Sequence, residues 1–152
     1  MSYHTAYICK KGHVLSFWKP CESKFCPECG SEVISECPNC HTQINGDDKD
    51  IMVHSKYRRP YYCPACGKPY PWTQSILDNA VELVSLDDNL SDEIKSIIIN
   101  AIPDLIVESS STPLAEARFK KYISFASDIV KDGLKQMFSA VLTEVFMTRL
   151  FS

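Results

Sequence analysis

From residue 73 onward, apolar residues recur at spacings of three and four. Ile76, Leu77, Ala80, Val81 and Val84 mark one face of a helix that Thr73 can cap and that runs to about Leu86. Asp87-Asp88-Asn89 breaks it. Ser91 can cap a second helix, with Asp92 and Glu93 in the first turn, where the helix dipole favours acids. Its stripe is Ile94, Ile97, Ile98 and Ala101, and Pro103 ends or kinks it. Ser109-Ser110-Ser111 reads as a loop. Thr112-Pro113 reads as a helix start, an N-cap followed by proline at the first helical position. From there Phe119, Tyr122, Ile123, Ala126, Ile129 and Val130 lead to Gly133. Leu134, Met137, Phe138, Val141, Leu142, Val145 and Phe146 continue the stripe. Asp132-Gly133 either splits this run into two helices or places a glycine where another helix crosses closely. The stripes are expected to be core. Residues 145–151 are apolar on most sides, which suits a helix-mediated dimer or partner contact.

The first 72 residues look different. They hold ten of the 36 Ile, Leu, Val and Met residues, too few to build a core by burial alone. Short apolar runs predict strands at Ala6-Tyr7-Ile8, Val14-Leu15-Ser16-Phe17-Trp18, Glu32-Val33-Ile34 and Ile51-Met52-Val53, and Asn45-Gly46 is a turn signal. The expected architecture is therefore α+β: an N-terminal double zinc ribbon of short β-hairpins over 1–72, then a C-terminal all-α helical bundle of three to five helices over 73–152.

The staples that the first half needs are its cysteines. All eight precede Trp72. Cys26-Pro27-Glu28-Cys29-Gly30, Cys37-Pro38-Asn39-Cys40 and Cys63-Pro64-Ala65-Cys66-Gly67 are three copies of Cys-Pro-x-Cys. Two residues between the sulfurs let both face one ion from a tight turn. The proline presets that turn, and a following glycine permits positive φ. Three pairs leave two structural ions two ligands short. Cys9-Lys10-Lys11-Gly12-His13 supplies a sulfur and an imidazole across a glycine turn. The ligand set is then Cys9, His13, Cys26, Cys29, Cys37, Cys40, Cys63 and Cys66 around two Zn²⁺. Cys21 is left over, and is the alternative to His13. Sequential pairing joins Cys9/His13 to Cys26/Cys29 and Cys37/Cys40 to Cys63/Cys66. Adjacent and cross-braced pairings are the alternatives, and the spacing favours the first. Four protein ligands close a tetrahedral ion, so these sites are expected to be structural rather than catalytic.

These three pairs, with Ala6-Tyr7-Ile8-Cys9-Lys10-Lys11-Gly12-His13-Val14 before them and Gly67-Lys68-Pro69-Tyr70-Pro71-Trp72 after, resemble a family of small bacterial zinc-ribbon proteins of unknown function. The resemblance covers the first half, and the helical tail also belongs to it. It implies a double zinc ribbon and a bacterial cytoplasmic origin, and it implies no activity.

Charge narrows the functional classes. The whole chain is at −3. Its first 72 residues carry nine basic and seven acidic side chains, formally +2. Two zinc ions and seven thiolates would bring that half to about −1. That is no strongly basic nucleic-acid binder. Lys56, Tyr57, Arg58, Arg59, Tyr61 and Tyr62 nevertheless interleave cations with rings, as single-strand binding requires. A ribbon hairpin whose tyrosines cover a small core is the blander reading. Tyr70 and Trp72 are expected to pack the ribbon onto the helices, with a partner-binding role for Trp72 as the alternative. No phosphate-binding glycine loop, nucleophile elbow or His-Glu-x-x-His appears, and every histidine precedes Trp72. The opening residues lack a signal peptide's basic and apolar regions, and no apolar run reaches the ~20 residues of a membrane span. A cytoplasmic location is expected, where thiols stay reduced and clustered cysteines point to metal before disulfides. The leading function is a non-enzymatic adaptor whose zincs hold a protein-interaction surface. The alternatives are nucleic-acid binding through residues 56–62, a RING-like scaffold recruiting a partner enzyme, and a small enzyme with an open zinc position.

Overall fold

A computed structural model describes residues 2–50 and 56–152. The chain is α+β. Five short strands, β1 (Tyr3–Thr5), β2 (Tyr7–Cys9), β3 (Val14–Ser16), β4 (Val33–Ile34) and β5 (Asn45–Asp48), precede five helices. The helices are α1 (Pro71–Ser85), α2 (Asp92–Ile106), α3 (Thr112–Ile123), α4 (Asp128–Ser139) and α5 (Glu144–Phe151). The chain divides into two compact units, Met1–Ser75 and Ile76–Ser152.

In the first unit β3, β2 and β4 form an antiparallel sheet in that order, and β1 pairs with β5 in a second sheet. Neither sheet is wide enough to enclose a core. Ala6, Ile8, Ile44, Tyr70 and Trp72 gather instead around the sulfurs of Cys37 and Cys63. The expected strand at Ile51-Met52-Val53 lies outside the described residues. Asn45-Gly46 is not a turn. Both residues lie in β5, and Asp47 donates its N–H to the Phe17 carbonyl at 2.8 Å. A Cβ on Gly46 would collide with that same carbonyl oxygen, so the glycine serves close backbone approach rather than chain reversal.

The second unit is built on the expected stripes, with changed boundaries. Helix α1 begins at Pro71, whose fixed φ suits the first helical position. Thr73, expected as the cap, is buried within the first turn and donates its hydroxyl to the Tyr61 carbonyl at 2.8 Å. Ser91 does cap α2, accepting the Ile94 N–H at 3.3 Å. Pro103 does not end α2, which continues to Ile106. Thr112 is the first residue of α3 rather than its cap, and its hydroxyl reaches the Asp104 carbonyl at 2.7 Å. Gly133 does not split its helix. It lies inside α4, where an added Cβ would meet the Leu83 side chain of α1. The chain breaks instead after Ile123 and after Ser139, where Thr143 caps α5 by accepting the Phe146 N–H at 3.2 Å.

The core of this unit centres on Phe119, Leu134, Phe138 and Leu150, with the Phe119, Phe138 and Phe151 rings packed edge to face or tilted at 5.7–6.3 Å. Three residues of the expected stripes leave them: Ile129 is 80% exposed, Val145 73% and Val81 37%. In α5 the buried positions are Met147 and Leu150.

Candidate metal centres

The three Cys-Pro-x-Cys segments fold into one repeated device. In each, the N–H of the residue after the second cysteine returns to the carbonyl of the first, at 2.8 Å. The donors are Gly30 to Cys26, His41 to Cys37 and Gly67 to Cys63. Each donor has positive φ: 73° at Gly30, 64° at His41 and 74° at Gly67. The first cysteine's N–H closes the hairpin onto the carbonyl five residues on, at Ser31, Thr42 and Lys68. A bridge joins the flanking residues in every copy, Phe25 to Glu32, Glu36 to Gln43 and Tyr62 to Pro69. The sequence accounts for this geometry in two copies, through glycine. In the middle copy His41 takes the left-handed conformation itself, with its ring 3.0 Å from Glu36. The fourth ligand pair uses a related turn, in which Gly12 (φ 96°) donates to the Cys9 carbonyl and Cys9 donates to that of His13.

Two groups of four result. Cys9, His13, Cys26 and Cys29 form the first, and Cys37, Cys40, Cys63 and Cys66 the second. Within each, the ligand atoms lie within 4.8 Å of one another. This is the sequential grouping, and not the crossed one that a RING-like scaffold requires. Cys21 belongs to neither group; its thiol is half-buried and free.

The spacing fits a tetrahedral ion. Metal–sulfur bonds of about 2.3 Å and metal–nitrogen bonds of about 2.0–2.1 Å imply S···S edges near ~3.8 Å and S···N edges near ~3.6 Å. In the first group Cys9 Sγ is 3.7 Å from Cys29 Sγ and 3.5 Å from His13 Nδ1, which lies 3.6 Å from Cys26 Sγ. In the second, Cys37 to Cys66 is 3.7 Å and Cys40 to Cys63 is 3.6 Å. Both groups therefore have the donors and dimensions of a zinc site. The geometry also selects the ring nitrogen. Nδ1 of His13 faces the sulfurs, while Nε2 points toward Glu28 Oε2 at 3.8 Å. At that distance, between two exposed side chains, the carboxylate is a charged neighbour of the ring and not a hydrogen-bond partner. Glu28 was not evident from ligand spacing, although it occupies a variable position inside the first Cys-Pro-x-Cys segment.

The thiols are unequally disposed to ionise without metal. Hydrogen bonds from Ser31 lower Cys29 to about 6, and the Cys66 N–H lowers Cys63 to about 6. The Lys68 N–H lowers Cys66. Burial raises Cys9 and Cys37. Each group thus pairs a buried sulfur with one held toward the thiolate form that metals bind.

The residues proposed as a surface have a different fate. Trp72 is 1% exposed, so it is no docking residue. It stacks on Tyr70 at 4.9 Å, and its indole N–H donates to the Pro60 carbonyl at 2.8 Å. Both rings belong to the ribbon's own apolar cluster. Tyr57 stacks on Phe17 at 5.0 Å and donates its hydroxyl to the Asn45 carbonyl at 2.7 Å. Burial, helped by Asp47, pushes that hydroxyl up to about 12. Arg59 donates to the Gly12 carbonyl. Tyr61 and Tyr62 are half-buried, which leaves Lys56 and Arg58 as the exposed members of the set. No helix among the described residues is long and apolar enough to cross a membrane.

Residues 2–149 match the profile of a family described as an uncharacterized protein conserved in bacteria, DUF2321. No curated protein and no solved structure matches the chain.

Proposed function

The chain belongs to that bacterial family, and we propose that it is a non-enzymatic adaptor in which two structural zinc ions hold a protein-interaction surface. One observation carries this reading. Each cluster supplies four protein ligands at tetrahedral edge lengths, which leaves no position for substrate or activated water. Zinc bound there would close the fold, contributing on the order of 10–16 kcal/mol apparent per site at neutral pH. The residues around it do the positioning: the Cys-Pro-x-Cys hairpins preset the sulfurs. Metal analysis tests the reading. Two zincs per chain, with partner capture from the native bacterial cytoplasm lost on chelation and restored by zinc, support it. One zinc bound by fewer than four protein ligands would favour an enzyme instead.

Nucleic-acid binding is the second reading, and the internal engagement of Tyr57, Arg59 and Trp72 weakens it. Salt-dependent binding to single-stranded DNA or RNA that is lost on Arg58→Ala would revive it.

A further inference from the structure

The two clusters share more than a chain. Strand β2 carries Ile8, which is fully buried in the apolar cluster around Cys37 and Cys63, and then Cys9, a ligand of the first group. Beside it, β4 pairs Val33 with Cys9, and Ile34 packs on that same cluster. A second link comes from the opposite side. Arg59 reaches back 47 residues to donate to the carbonyl of Gly12, inside the turn between Cys9 and His13. Its guanidinium lies so close to that turn that a Cβ on Gly12 would meet Nη1 at 2.8 Å and Cζ at 2.9 Å, with Trp72 Cβ at 3.0 Å. Arg59 Nε is buried there without a hydrogen-bond partner among the described residues. An unsatisfied guanidinium nitrogen is costly, so the placement must be enforced by its neighbours. Those neighbours lead to the second group. Pro60 accepts from Trp72, Tyr61 accepts from Tyr70 at 3.0 Å and from Thr73, and Tyr62 bridges Pro69 across the hairpin of Cys63 and Cys66.

We infer that the two metal sites fill interdependently, with Arg59 as the positioning residue through which closure of the second cluster sets the Cys9–His13 turn of the first. The inference rests on the reading of both clusters as metal sites. Arg59 acts through Gly12, to whose carbonyl it donates. Closing the Cys37/Cys40/Cys63/Cys66 group orders the hairpin that anchors residues 59–62 and so raises the first group's affinity. By linkage, filling the first raises that of the second by the same factor.

Cobalt(II) titration of the full metal-free chain tests this, because three sulfurs with one nitrogen and four sulfurs give distinct visible absorption. In the unaltered chain both signatures should appear together at substoichiometric metal. Arg59→Met, which keeps the aliphatic stem, should weaken the three-sulfur site at least ~10-fold and separate the two signatures. Arg59→Lys, which keeps one donor, should fall between. Cys63→Ser with Cys66→Ser removes no ligand of the first group, yet should weaken it by at least as much as Arg59→Met. First-site affinity within twofold of the unaltered chain in both Arg59→Met and the double serine variant would overturn the coupling. Absence of sulfur-to-cobalt charge transfer in the unaltered chain would overturn the metal reading itself, and the coupling with it.

Discussion

The carboxylate of Asp87, just beyond α1, accepts the backbone N–H of Ser127 at the start of α4 at 2.8 Å, and its other oxygen accepts the N–H of Asn89 at 2.9 Å. The side chain is 3% exposed. One acid thus closes the link into α2 and stands where Ser127 makes no side-chain cap of its own. Burial alone would raise this acid, but the Ser127 and Asn89 donors and the charge of Lys95 outweigh it and hold it below the usual range. Asp87→Asn should therefore cost about 1.5–3 kcal/mol at neutral pH. A depressed folded value stabilises the fold above the ordinary aspartate range, and this is lost as pH falls through the folded value. The urea-midpoint gap between variant and unaltered chain, read on the helical signal, should hold steady from about pH 7 to pH 5 and close in stronger acid.

Gly46→Ala should destabilise the first unit by about 1–3 kcal/mol or more, because its Cβ meets a backbone oxygen that cannot rotate away. A thermal melt of the zinc-loaded chain followed by tyrosine and tryptophan fluorescence would register this. A variant as stable as the unaltered chain would refute the close approach of β5 to Phe17.

At Gly30 and Gly67 nothing lies within 4 Å of an added Cβ, so alanine there meets only the cost of positive φ. That cost should be about 1 kcal/mol at each site. At His41 the reverse change, His41→Gly, should be neutral or stabilising by up to ~1 kcal/mol, since the Glu36 contact it removes is exposed. Opposite signs in denaturant unfolding would identify the repeated turn as one device.

His13→Ala should leave one zinc per chain tightly bound, and Cys21→Ser should leave two, as counted by native mass spectrometry. Retention of two zincs at full affinity in the His13 variant would reassign the first site.

The residues' own spacing made some of this legible and concealed the rest. Cys-Pro-x-Cys is a local device: its sulfurs converge because of the turn between them, so the two clusters could be read directly. His13 could be read for the same reason, through Gly12. The helical stripes were readable because Ile98, Phe119, Leu134 and Phe138 repeat at the period of the element that buries them. What failed were local signals with distant partners. Asn45-Gly46 has the composition of a turn, but its glycine answers to Phe17. The Lys56–Tyr62 stretch was ambiguous instead: its composition suits a nucleic-acid track as well as a hairpin over a small core, and Arg59 and Tyr57 have internal partners in Gly12 and Asn45. Strand β1 has no apolar alternation to betray it, since its pairing with β5 lies some forty residues away in the chain. Ile129 shows the opposite failure: the period included it, but the helix break after Ile123 turned it to solvent.

The reach of Arg59 to Gly12 has a consequence for synthesis. A ribosome releases Cys9, His13, Cys26 and Cys29 well before Arg59 and Cys63. The first cluster can therefore catch an ion while the brace for its opening turn is still inside the exit tunnel. Under the proposed coupling, such early occupancy would be provisional, and would become fixed only when the third hairpin emerges and draws Arg59 into place.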